Sequence, residues 1–127
     1  MNTQENDMNA KTLATSLIGL LLAAAANAQS APIEFRVVAA KGNPAGCTSL
    51  DASLSRVHTI TLMGDKALLK SSGGINDTLK QTSPDIYKTR FGLGGVNLDV
   101  VADAGAKPRT LQVTEASRGC HWNAVAK

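Results

Sequence analysis

Aromatic side chains are scarce in this chain: two phenylalanines, one tyrosine and one tryptophan are all it holds. Stacking platforms for sugars or single-stranded nucleic acid use several exposed rings. Phe35, Phe91 and Trp122 are expected in the core, which leaves only Tyr87. Extended carbohydrate or nucleic-acid binding is therefore not expected. An excess of one charge is also missing. Thirteen Lys and Arg against ten Asp and Glu leave a net +3. The densest basic patch is Lys88-Thr89-Arg90, far short of the basic stripe of a nucleic-acid binder.

Long hydrophobic runs are absent too. The strongest apolar stretch, Leu17 to Ala26, is shorter than the roughly 20 residues a bilayer-spanning helix needs. A stable membrane anchor is not expected. The stretch sits within LATSLIGLLLAAAANA (13–28), which ends on Ala26-Asn27-Ala28 before Gln29. An apolar core followed by an A-x-A site is the pattern of a secretory signal peptide. Glu5 and Asp7 do not suit the positive start such a leader should have, whereas a start at Met8 does. Residues 1–28 thus read as a signal peptide. Residues 29–127 read as one secreted or periplasmic domain, large enough for a single core. Without the leader, basic residues fall to 12 and acidic ones to 8, and the charge becomes +4.

Cysteine is rare, with two in all. In an oxidising compartment an even count implies a disulfide, and Cys47 with Cys120 is the one pairing available. It would close a loop of about 73 residues, for which chain entropy gives roughly 4 kcal/mol as an upper figure. That favours a structural fastening over a reactive Cys120-His121 pair.

What the chain does have is turn signals at short intervals. Gly42 to Gly46, Gly64-Asp65, Ser72 to Gly74, Ser83-Pro84-Asp85, Gly92 to Gly95 and Ala104 to Pro108 separate runs rich in Val, Ile, Leu and Thr. The runs are 33–40, 57–63, 66–72, 74–82, 85–93, 96–103, 109–116 and 120–126. Several alternate. Tyr87, Thr89, Phe91 and Leu93 share one face, and Lys88 and Arg90 the other. A period of two marks half-buried antiparallel strands. The expected fold is all-β, a small antiparallel meander of about eight strands. Barrel and sandwich both fit; a barrel leaves no free edge and is preferred. In residues 48–57, Leu50, Leu54 and Val57 fall at helical spacing, so a short helix is expected there, capped by Thr48 or Ser49.

Chemistry-bearing patterns are thin. His58 and His121 are the only side chains that ordinarily titrate near neutrality, and both lie in expected strands. A metal site would need more ligands once the cysteines are paired. Ser-Ser-Gly-Gly and Gly-Leu-Gly-Gly lack the lysine and the strand–loop–helix setting of a phosphate loop, and read as hairpin turns. No G-x-S-x-G elbow occurs. No cofactor is expected, and the balance leans against an enzyme.

The stretch LLKSSGGINDTLKQTSPDIY (68–87) resembles the small periplasmic inhibitors of C-type lysozyme, whose motif runs Ser-Gly-x-x-Tyr. Ser83 and Tyr87 keep that spacing, with Pro84 in the glycine position and Phe91 to Gly95 where the family carries Trp and Lys-Gly. The resemblance implies an eight-stranded, disulfide-linked barrel with Ser83 in an inhibitory loop and Tyr87 as its supporting ring. The expected function is a non-enzymatic binding domain whose ligand the sequence does not identify; its first variant is an inhibitor of an extracytoplasmic protein, a hydrolase, acting through the loop at 82–88. Lys88 and Arg90 would meet an acidic cleft. The alternatives are a small-ligand carrier with an apolar barrel interior and a small hydrolase using His58 or His121.

Overall fold

The computed structural model describes residues 30–126; the leader expected at 1–28 and the domain start expected at Gln29 lie outside the described residues. The chain forms strands β1 (Ile33–Arg36), β2 (Val38–Ala39), β3 (Val57–Met63), β4 (Lys66–Ser71) and β5 (Asn76–Ser83). They continue as β6 (Ile86–Leu93), β7 (Val96–Asp103), β8 (Thr110–Glu115) and β9 (Cys120–Val125). One helix, α1 (Thr48–Leu54), follows a 3-10 turn at Ala45–Cys47. The strands make a single antiparallel sheet in the order β1-β3-β4-β5-β6-β7-β8-β9-β2.

That order begins and ends on the same stretch of chain. The run expected as one strand at 33–40 is broken at Val37, whose side chain is buried and whose N–H donates to Arg56 O at 3.0 Å. Before the break, Phe35 opposes His58 on β3; after it, Val38 opposes Asn123 on β9. Phe35 also bridges Ala126. One interrupted strand thus joins both margins of the sheet, and the meander becomes a nearly closed barrel. Closure leaves few unpaired backbone groups along a sheet edge.

Alternation decides which residues go inside. Ile33, Phe35 and Val37, then Ala67 and Leu69, Leu98, Val100 and Ala102, Leu111 and Val113, and Cys120, Trp122 and Ala124 are all buried. Phe91 is only half-buried against this core, less than the sequence suggested. Every fully buried Leu or Phe of this kind stabilises the fold by about 1.5–3 kcal/mol relative to exposure.

The helix is shorter than its apolar spacing implied. Leu50 and Leu54 are buried as expected, but Val57 opens β3 opposite Arg36. Ser55 N–H to Asp51 O and Arg56 N–H to Leu54 O, both at 2.8 Å, close the last turn before it. The expected cap is also absent. Cys47 precedes the helix without a side-chain cap, and the Thr48 hydroxyl donates back to Ala45 O at 2.9 Å. The 3-10 turn already satisfies that terminus: Cys47 N–H donates to Pro44 O.

Cys47 and Cys120 are joined, with a sequence separation of 73. Among the described residues no helix is long and apolar enough to cross a membrane.

Candidate functional site

The meander puts the turns after β4, β6 and β8 at one end of the barrel and those after β3, β5 and β7 at the other. At the first end the helix lies across the opening. A Cβ on Gly73, in the β4–β5 turn, would come within 3.0 Å of Ser53 O, so only glycine lets the helix approach that closely. Leu50 sits against Gly94 of the β6–β7 turn. Arg118, in the β8–β9 turn, donates to Gly46 O at 3.1 Å. The disulfide, and Asn43 paired with both backbone groups of His121 at 2.8 and 2.9 Å, fasten the same region. Beneath it the indole N–H of fully buried Trp122 donates to Asp51 Oδ1 at 2.8 Å. The Glu115 carboxylate accepts from the Ser117 hydroxyl and from the Ser117 and Arg118 backbone; the hydroxyl bond leads in holding its pKa down.

Both histidines fall outside any reactive grouping. His58 is 1% exposed, and its Nε2–H donates to Leu54 O at 3.0 Å. Its Nδ1 is buried without a partner, and burial lowers its pKa, opposed by the Leu54 bond. His121 is exposed on the outer face of β9. No group of three or more His, Cys, Asp or Glu that could hold a metal ion occurs among the described residues.

Of the expected site residues, Ser83, Tyr87 and Lys88 lie toward the other end, whereas Arg90 stands farther along β6, beside Gly95 and Ser117 of the covered-end turns. The segment 82–88 is narrower than a loop. β5 runs through Ser83 and β6 starts at Ile86, so Pro84-Asp85 alone makes the turn. Asp85 takes φ 67°, an unusual conformation that Asp tolerates better than most residues, and Pro84 pre-sets its own φ. A register shift between Gln81 and Ser83 bends the strand into the tip.

Ser83 is exposed beside that turn. Tyr87 is 5% exposed and points inward, with its hydroxyl donating to Gly64 O at 3.0 Å. It therefore ties the β5–β6 tip to the β3–β4 turn from below. Gln81 N–H to Asp65 O at 2.9 Å adds to that tie, and Ala104 N–H to Asp85 O at 2.8 Å joins the tip to the β7–β8 loop. Beside the tip runs a shallow groove of about 560 Å³ flanked by Asp85, Lys107 and Arg109.

Lys88 and Arg90 both face out, but they differ. Arg90 is held by Asp99 on β7, Nε to Oδ1 at 2.7 Å. Lys88 has no such partner; it stands directly across from Lys80, which stands directly across from Lys66. All three lysines are exposed and, among the described residues, none is in ion-pair contact with a carboxylate. Like charges in opposed strand positions repel. Lys66 and Lys80 escape a reading of the sequence because they lie in separate strands. Alternation places each of them outward, but only the register lines them up.

The site is thus a hairpin tip tied to its neighbours and flanked by a row of lysines, with no free cysteine and no metal-ligand cluster among the described residues. No protein-family model, curated protein or solved structure matches this chain.

Proposed function

We propose that this chain is an exported, non-enzymatic binding domain that inhibits an extracytoplasmic hydrolase by setting its β5–β6 tip against an acidic surface. The observation that carries this reading is the row Lys66–Lys80–Lys88, which repels itself in the isolated domain and would be relieved by a negatively charged partner. The pinned tip supports it, since a surface already held in shape loses little entropy on docking. Export is supported by the leader-like residues 13–28 and by the disulfide.

The two alternatives gain less. A carrier needs interior space, and here Trp122, Phe35, Leu54, Leu79, Leu98 and Leu111 fill the barrel, each no more than 1% exposed. A hydrolase needs a placed base, and His58 is committed to a backbone carbonyl while His121 stands alone on the outer wall.

Inhibition assays with C-type lysozyme and a panel of other extracytoplasmic hydrolases test the proposal. Inhibition should weaken steeply with added salt, fall about tenfold or more in the Lys80→Glu, Lys88→Glu variant, and be lost in Tyr87→Ala. A correctly folded protein that inhibits no hydrolase, or inhibition indifferent to the lysines, would overturn it.

A further inference from the structure

A second site lies in the barrel wall, away from the lysine row. Strands β5 and β6 are both eight residues long, yet their pairing covers only Lys80, Gln81 and Ser83 opposite Lys88, Tyr87 and Ile86. Toward the helix-covered end, no cross-strand pairing joins the first half of β5 to the second half of β6 among the described residues. Each of these halves still pairs on its far side, with β4 or β7. The hydrogen-bonded ladder is therefore interrupted along one seam, although the two strands stay adjacent there.

The interruption explains an exposure pattern that alternation alone does not. Tyr87, on the paired part of β6, is buried, whereas Phe91 and Leu93, on the same inward-facing parity, are half-exposed. They form, with Ile75, the apolar floor of an open cleft of about 360 Å³. Gly74 and Gly92 leave its rim without side chains. The single charged group in its lining is Asp77. Its Oδ2 accepts from the Thr89 hydroxyl across the seam at 3.3 Å, and its Oδ1 from Thr78 N–H at 2.8 Å. Both donors are neutral, and no cation is in ion-pair contact with Asp77 among the described residues.

We infer that this cleft binds an alkylammonium group: a primary amine on a short apolar stem. The ammonium meets the Asp77 carboxylate, the stem lies on Ile75 and Leu93, and the Phe91 ring favours a cation near its face. The same chemistry comes either from a free amine or from a lysine side chain of another polypeptide. A polypeptide would in addition engage the backbone groups of the interrupted ladder. The inference does not depend on the inhibitor reading, because the cleft shares no residue with the lysine row.

The test is amide-resolved NMR of the protein at neutral pH and fixed ionic strength, titrated with n-butylamine, n-butanol and acetyl-Gly-Lys-Gly-amide. Saturable shifts are expected at Gly74 to Asp77 and Phe91 to Leu93 with the amine, and binding about tenfold weaker with the uncharged alcohol. Asp77→Asn should weaken the amine by a similar factor. Gly92→Leu should block it while leaving the carboxylate in place. Gly92 accepts a side chain, since its φ is not in the left-handed range and the nearest atom to an added Cβ is 3.8 Å away. Tighter binding of the peptide than of butylamine identifies a polypeptide as the source; the reverse identifies a free amine. No saturable shift at these amides, an equal response to butanol, or an unchanged affinity in both variants would overturn the inference.

Discussion

At one end of the barrel the helix and the 3-10 turn before it touch three hairpin turns, and a disulfide holds them there; at the other, three connections touch one another and, among the described residues, no helix lies over them. The covered end uses its side chains on itself. Asp51 serves Trp122, Glu115 its own turn, Asn43 the backbone of His121 and Arg118 that of Gly46. The bare end makes its ties mainly through backbone carbonyls and the Tyr87 hydroxyl, and so leaves Lys66, Lys80, Lys88, Lys107 and Arg109 facing solvent. On the proposed reading, stability and recognition fall to opposite ends, and a change at one should show little at the other.

The largest effect should come from the covered end. Replacing both cysteines by serine is expected to lower unfolding free energy by roughly 4 kcal/mol, read by urea denaturation. A loss below about 1 kcal/mol would mean that the hydrogen bonds alone hold the helix in place. Next comes the bond beneath the helix. Asp51→Ala leaves a buried indole N–H without its acceptor and should cost about 1–3 kcal/mol, most of which Asp51→Asn should restore. Inhibitory binding should be indifferent to both substitutions wherever the protein remains folded.

A smaller, pH-dependent effect should arise at His58. Burial lowers its pKa from the ordinary 6.5, outweighing the opposing bond to Leu54 O. The unfolded chain then binds more protons than the folded one as pH falls through 6.5. This contribution to stability is complete above that value and is lost as pH falls toward the lower folded value. His58→Gln, which can still donate to Leu54 O, should flatten the slope in thermal melts across that range; an unchanged slope would assign it to another group.

The smallest effect on stability should come from the bare end. Lys80→Thr relieves repulsion on both sides and should raise stability by a few tenths of a kcal/mol at low salt, fading as salt is added. A clear destabilisation would mean that the row contributes to the fold rather than to recognition, and the contrast between the ends would fail.

The strands were legible because Val, Ile and Leu alternate with polar residues between glycine-marked turns, and the disulfide because only one pairing existed. Leu50 and Leu54 announced the helix, but the same spacing drew in Val57, which belongs to β3. Alternation tells which side of a strand faces inward; it says nothing of what lies across. Hence the lysine row, the interrupted seam beside Asp77 and the break at Val37 were invisible in sequence. The first two depend on register, which the tight turn at Pro84-Asp85 and the shift between Gln81 and Ser83 help to set, and the third on a change of partner from β3 to β9. The partner of Trp122, Asp51, is 71 residues away, and no local pattern links the two.

The interrupted strand at 33–39 has a bearing on how the molecule is made. Its first half finds β3 soon after synthesis begins, whereas its second half must wait for β9 near the tail. Cys47 waits in the same way for Cys120. A chain lacking β9 would leave β2 without its pairing strand and Cys47 without its disulfide partner. Closing the barrel and closing the disulfide are therefore one event, completed by the arrival of a single strand.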